Sequence, residues 1–208
     1  MRRIGLLGGT FDPVHFGHLL IGEVLGEELS LDTVLLVPAE SPPHKPTQPV
    51  TPAHHRKRMC ELAASDNPRF SVSDLDLNGS RQSYTVDLLV RAAATYPNAA
   101  LYFLMGTDSL RDLPTWYHTE RIAQLARIGA ANRPGFKFDL ATLVEKLPHF
   151  RDRVELVHAP GLQVSATELR ERIRTGRSIR YLTPDSVRCY IVERGLYLTE
   201  SSASPRSR

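Results

Sequence analysis

The chain has 208 residues, 41% hydrophobic and 24% charged, with a formal net charge of +3. This balance suits an ordinary soluble globular protein of one α/β domain, on a prior of ~100–200 residues per domain. It excludes the dense basic, aromatic-interleaved stripe of a nucleic-acid binder, the apolar run of ~20 residues that spans a membrane, and, with only Cys60 and Cys189, a disulfide framework or zinc ribbon.

Met1-Arg2-Arg3 leads directly into an apolar run with no secretory h-region, so the expected compartment is the cytoplasm. Apolar runs then alternate with helical patterns, which predicts a parallel sheet with crossover helices. Strands are expected at Arg3–Leu7, Thr33–Val37, Phe70–Val72, Ala100–Met105, Arg127–Ala131 and Arg153–His158. Helices are expected at Phe16–Leu29, Pro52–Ala64, Thr85–Thr95, Glu120–Ala126, Asp139–Lys146, Thr167–Thr175 and Pro184–Arg194. The implied architecture is α/β, a Rossmann-like doubly wound parallel sheet with a small C-terminal helical part at about 165–198. Residues 1–198 form one expected domain, and the Ser/Arg-rich 199–208 segment an expected disordered tail. Ligands of such sheets bind beyond the carboxyl ends of the strands, and Gly8, Pro38, Gly106 and Asn132 each follow a predicted strand.

The stretch Ile4–Leu20 reads as strand, glycine turn and helix. Gly8 and Gly9 would allow positive φ and close approach of a phosphate to backbone N–H groups, and the following helix would add its N-terminal donors. His15 and His18, three apart, are expected on one face of the first helical turn, where both can meet one anion. Gly17 between them implies a bulky neighbour against the backbone, either a ligand or a packed strand. Asp12 before Pro13 reads as a turn or cap residue.

Residues 38–52 carry six prolines, Pro38, Pro42, Pro43, Pro46, Pro49 and Pro52, and form a long loop with His44 and Lys45 at its middle. Thr51-Pro52 would then be N-cap and first residue of a helix. Ser165, Thr167 and Arg170 open a late helix, where they could hold an anion jointly or be a plain cap and an exposed arginine. Gly106 and Asp108 follow the most apolar strand, and Asp108 could accept from ribose hydroxyls, adjust a metal's water shell, or cap a short helix. Eight histidines permit a zinc reading, yet their spacing matches no standard motif.

The segment GGTFDPVHFGH resembles the signature of the bacterial nicotinate-nucleotide adenylyltransferases, within the wider HxGH nucleotidyltransferase superfamily. Similar segments continue in order: Pro43-His44-Lys45, Arg56 with Met59, Ser83-Tyr84-Thr85, Gly106-Thr107-Asp108, Leu113-Pro114-Thr115-Trp116-Tyr117, Arg133-Pro134-Gly135, and Ser165-Ala166-Thr167 with Arg170. Ala166 departs from the family, where a second serine is frequent, and Val164 replaces the usual isoleucine.

The resemblance implies transfer of the adenylyl group of ATP to nicotinate mononucleotide, with release of pyrophosphate and no covalent enzyme intermediate. It implies catalytic roles for His15, His18, Lys45 and Arg170. ATP would meet Gly8, Gly9, Thr10, Phe11, His15, His18, Gly106, Asp108, Ser165, Thr167 and Arg170. The mononucleotide would meet His44, Thr85, Trp116, the Tyr117 backbone and Arg133, with Trp116 stacked on the pyridine. Mg²⁺ would bridge the phosphates with few or no protein ligands. Neither nucleic acid nor membrane is an expected partner, and a homo-oligomer is left open.

Overall fold

The computed structural model describes residues 1–40, 50–77, 84–132, 135 and 138–198. His44, Lys45, Ser83, Arg133 and the 199–208 tail therefore lie outside the described residues.

Six strands, β1 (Arg2–Gly9), β2 (Thr33–Pro38), β3 (Phe70–Val72), β4 (Ala99–Gly106), β5 (Arg127–Asn132) and β6 (Val154–His158), form one sheet in the order β3-β2-β1-β4-β5-β6. Every pairing is parallel. The sequence order runs outward in both directions from the neighbours β1 and β4. The crevice therefore opens where their carboxyl ends diverge.

The helices are α1 (Phe16–Glu28), α2 (Ala53–Ala64), α3 (Thr85–Thr95), α4 (Thr107–Arg111), α5 (Thr119–Leu125), α6 (Leu140–Lys146), α7 (Ala166–Arg174) and α8 (Asp185–Glu193). Alternate residues of the central strands enter opposite cores, as a period of two requires. Ile4, Leu6 and Leu35 join Leu88 and Leu89 of α3, Ile122 of α5 and Leu143 of α6. Leu7, Val34 and Leu36 join Leu25 of α1, Met59 of α2 and Val187 and Ile191 of α8. Both faces are covered, and this is why the strands read as apolar runs.

Several expectations change at the element ends. The strands β1, β2, β4 and β5 run on through Gly9, Pro38, Gly106 and Asn132, so these residues end strands rather than follow them. Pro38 fits there because Ala39 supplies the next donor, to the Gly9 carbonyl at 2.9 Å. Pro52, not Thr51, is the N-cap of α2; the Thr51 N–H is drawn instead to Asp12 Oδ2, 3.2 Å away. Asp139 caps α6 rather than beginning it, accepting from the Ala141 and Thr142 amides. Helix α4 has five residues, too few for a periodic pattern, and its N-cap is Gly106, with Asp108 in the first turn.

The two thiols are unequal. Cys60 is buried and Cys189 exposed, and burial raises the Cys60 pKa well above the usual thiol value, against the pull of Arg56. Since the thiolate is the reactive form, a thiol-specific disulfide reagent should titrate one cysteine in the native protein and both after unfolding. Two rapidly reacting native thiols would contradict this packing.

Candidate active site

A cleft of about 840 Å³ opens at the carboxyl ends of β1 and β4. Thirteen of the expected site residues line it: Gly8, Gly9, Thr10, Phe11, His15 and His18 after β1, Thr85 on α3, Gly106, Asp108, Trp116 and Tyr117 after β4, and Ser165 and Thr167 at α7. The structure thus brings together segments distant in the chain.

The glycine turn differs from its expected form. Gly8 and Gly9 are extended strand residues, and the positive φ belongs to Phe11, at 50°. The phenyl ring of Phe11 folds back on Gly9, where a Cβ would lie 3.1–3.3 Å from three of its ring carbons, and Phe103 sits equally close to Gly8. A Cβ at either glycine would press on these rings. Phe11 is itself 1% exposed and edge-on to His18, with ring centroids 5.0 Å apart.

His15 does not sit on the helix. It is the N-cap of α1, with extended backbone at φ −148°, and His18 is the third helical residue. The two imidazoles nevertheless meet, stacked with centroids 3.7 Å apart and planes 26° from parallel. The bulky neighbour of Gly17 is His15 itself, whose ring lies 3.0 Å from the position of an added Cβ. His18 Nδ1 accepts the His15 backbone N–H at 3.3 Å, so Nδ1 carries no proton in this arrangement. The ring's donor is then Nε2.

Helix α7 begins beside the histidines, since the Val164 carbonyl lies 3.5 Å from the same Gly17 position. Ser165 is its N-cap and accepts from the Glu168 amide at 3.2 Å. Arg170 stands outside the cleft lining. Its guanidinium donates to the Asp12 carbonyl at 2.7 Å and to Thr167 Oγ1 at 3.3 Å.

A second part of the lining is aromatic. Trp116 packs edge-on to Phe103, centroids 5.7 Å apart at 85°, and leaves part of its surface to the cleft. Tyr84 and Tyr117 lie 5.2 Å apart, and Tyr117 touches His118, which holds a left-handed backbone at φ 52° before α5.

The sequence reading assigns no role to Arg56, Asp76, His118 or Tyr197. Arg56 is 1% exposed and donates to three backbone carbonyls, Thr10 and Thr51 at 2.8 Å and Glu40 at 3.2 Å. Burial lowers its pKa, opposed by the nearby Asp12 and Glu40. A signal was present, for positions 56, 59, 60 and 63 mark one buried helix face and Arg56 is its only charge. Asp76 lines the cleft, is buried, and pairs with Arg91, which also holds the Leu75 carbonyl at 2.6 Å. No spacing announces Asp76 or Tyr197.

Among the described residues no group of three or more His, Cys, Asp or Glu could hold a metal ion, and no helix is long and apolar enough to cross a membrane.

Residues 6–172 match the model of the cytidylyltransferase-like family. Over 205 residues the chain is 49% identical to a probable nicotinate-nucleotide adenylyltransferase of Thermomicrobium roseum, covering 99% of this chain and 96% of that one. It is 46% identical over 195 residues to the same-named protein of a Roseiflexus species, covering 93% and 97%. In three dimensions it resembles the nicotinic acid mononucleotide adenylyltransferase of Plasmodium falciparum complexed with NaAD, at a TM-score of 0.77 over 95% of this chain and 98% of that one; at 23% identity this bears on the fold alone. The chain belongs to the cytidylyltransferase-like family and, within it, to the nicotinate-nucleotide adenylyltransferases.

Proposed function

We infer that the protein transfers the adenylyl group of ATP to nicotinate mononucleotide, giving nicotinic acid adenine dinucleotide and pyrophosphate. The observation that carries this reading is that one cleft is lined both by the stacked His15 and His18 and by Trp116 and Tyr117. Its ~840 Å³ suits ligands of nucleotide size.

The acceptor phosphate is already an anion at neutral pH, so the reaction needs no protein nucleophile. It attacks the α-phosphorus in line while the bond to pyrophosphate breaks, and the electron pair leaves with pyrophosphate. The protein's share is positioning and charge neutralisation. The first-turn amides of α1 and the His15 and His18 rings meet the α-phosphate, and Thr10 orients it. Ser165, Thr167 and Arg170 at α7 draw the departing pyrophosphate, with Lys45 as a further point charge. A Mg²⁺ would be held chiefly by the substrate phosphates, and Asp108, which belongs to the cleft lining, would meet its water shell. The bound ion would neutralise phosphate charge.

On the acceptor side, Trp116 stacks on the pyridinium, and Thr85 with the Tyr117 backbone receives the carboxylate. Arg133 holds the mononucleotide phosphate, and His44 meets the mononucleotide. Residues 1–198 act as one unit in this reading, since α7 contributes to the same cleft as β1.

Pyrophosphate release from ATP and Mg²⁺ should be strong with nicotinate mononucleotide and weak with its amide or with phosphopantetheine, because donors that the bound acceptor covers are left unpaired without a carboxylate. Equal use of acid and amide would discard the carboxylate pocket. Trp116→Ala should raise KM for the mononucleotide by about 5- to 30-fold, the equivalent of a desolvated cation–π contact of ~1–2 kcal/mol, with KM for ATP unmoved. An unchanged mononucleotide KM would remove the indole from the acceptor site.

A further inference from the structure

The stretch that carries the histidines is held from outside itself, chiefly by the last part of the chain. The Asp12 carbonyl accepts from Arg170 at 2.7 Å, the Val14 carbonyl from Thr183 Oγ1 at 2.8 Å, and the Phe16 amide donates to the Leu182 carbonyl at 3.1 Å. Besides Arg56 on the Thr10 carbonyl, a further tie is the Asp12 side chain, 4% exposed, which lines the cleft. Its Oδ1 accepts from the Tyr197 hydroxyl at 2.7 Å and its Oδ2 from the Thr51 amide at 3.2 Å.

Tyr197 is shaped for this contact. Gly195 and Tyr197 both have positive φ, 59° and 66°, which turns the chain back after α8. For tyrosine that backbone is unfavourable and must be offset by what the side chain gains. Burial, with Asp12 beside it, pushes the phenol pKa up, so the hydroxyl stays a donor across the working pH range.

We propose that Tyr197 is a positioning residue for adenylyl transfer, its hydroxyl holding the Asp12 carboxylate so that Thr10, His15 and His18 keep the geometry the transition state needs. The C-terminal turn is on this view part of the catalytic apparatus at one remove. Tyr197 touches no substrate and should leave ground-state binding almost alone. The proposal rests on the reaction inferred above, and a parent enzyme without pyrophosphate release would fail that inference before Tyr197 is tested.

The test is steady-state kinetics of the full chain carrying Tyr197→Phe, which removes one oxygen and keeps the ring. We expect kcat to fall about 10- to 100-fold, as for a small misplacement of reacting groups, with KM for ATP and for the mononucleotide within about twofold of the parent. Measurement should be made well below the melting temperature of both proteins. A purely stabilising tyrosine would lower the melting temperature and leave kcat intact there, and that result would overturn the proposal.

A second variant gives an independent reading. Asp12→Ala removes both acceptor oxygens, so neither Tyr197 nor Thr51 keeps its partner there. If Tyr197 acts through Asp12, adding Tyr197→Phe to Asp12→Ala should lower kcat by much less than it does in the parent. Equal losses in both backgrounds would mean that the hydroxyl works elsewhere, and would also overturn the proposal.

Discussion

His18→Ala should lower kcat by about 10²- to 10³-fold, the range found when one preorganised donor to a developing charge is removed. His18 is half-buried, so its deletion opens no deep cavity. It does remove the acceptor for the His15 amide, and that lost cap should cost ~1 kcal/mol of helix stability. The fold survives such a loss. KM for ATP should change little, because the imidazole is asked to act on charge that appears only as the pyrophosphate bond breaks.

His18→Asn sharpens the result. An asparagine at the third helical position can still accept the His15 amide, so it should restore most of the stability while leaving kcat low. Parent-like turnover in His18→Ala, with circular dichroism unchanged, would remove the imidazole from the mechanism. Parent-like turnover in His18→Asn alone would reduce His18 to a capping residue.

The sheet was legible because its strands are buried on both faces: the runs Leu101–Met105 and Thr33–Val37 have no polar alternation to confuse with a helix. Helix α4 was legible only as a short helix near Asp108, without bounds, because five residues make less than two turns. Gly8 and Gly9 were legible as a place of close approach, since a glycine pair at a strand end announces one; that the Phe11 and Phe103 rings are among the close neighbours depends on contacts in three dimensions. His15 and His18 were legible as a pair from spacing. Their stacking was not, since it depends on His15 leaving the helix as its cap. Tyr197 lies 185 positions from Asp12, and no local pattern connects them.

Arg56→Met is expected to be the most damaging single change to stability, by about 3–5 kcal/mol, the scale for breaking a buried charge network. Methionine fills much of the volume, so the loss is polar rather than steric. The Thr10, Thr51 and Glu40 carbonyls would each lose a charged donor where water cannot easily replace it. Asp12 would lose a buried positive neighbour at the same time. In a chain of this length ~1 kcal/mol shifts the melting temperature by about 2–4 °C, so a drop of at least ~6 °C should appear by calorimetry. Arg56→Lys should recover only part of it, because a single ammonium cannot reach three divergent carbonyls as a planar guanidinium does. Turnover should fall as well, since Arg56 holds the Thr10 carbonyl beside the histidines and the Thr51 carbonyl, whose residue donates its amide to Asp12. A melting temperature within ~2 °C of the parent would show that water or neighbouring donors satisfy those carbonyls, and that Arg56 does not brace the loop.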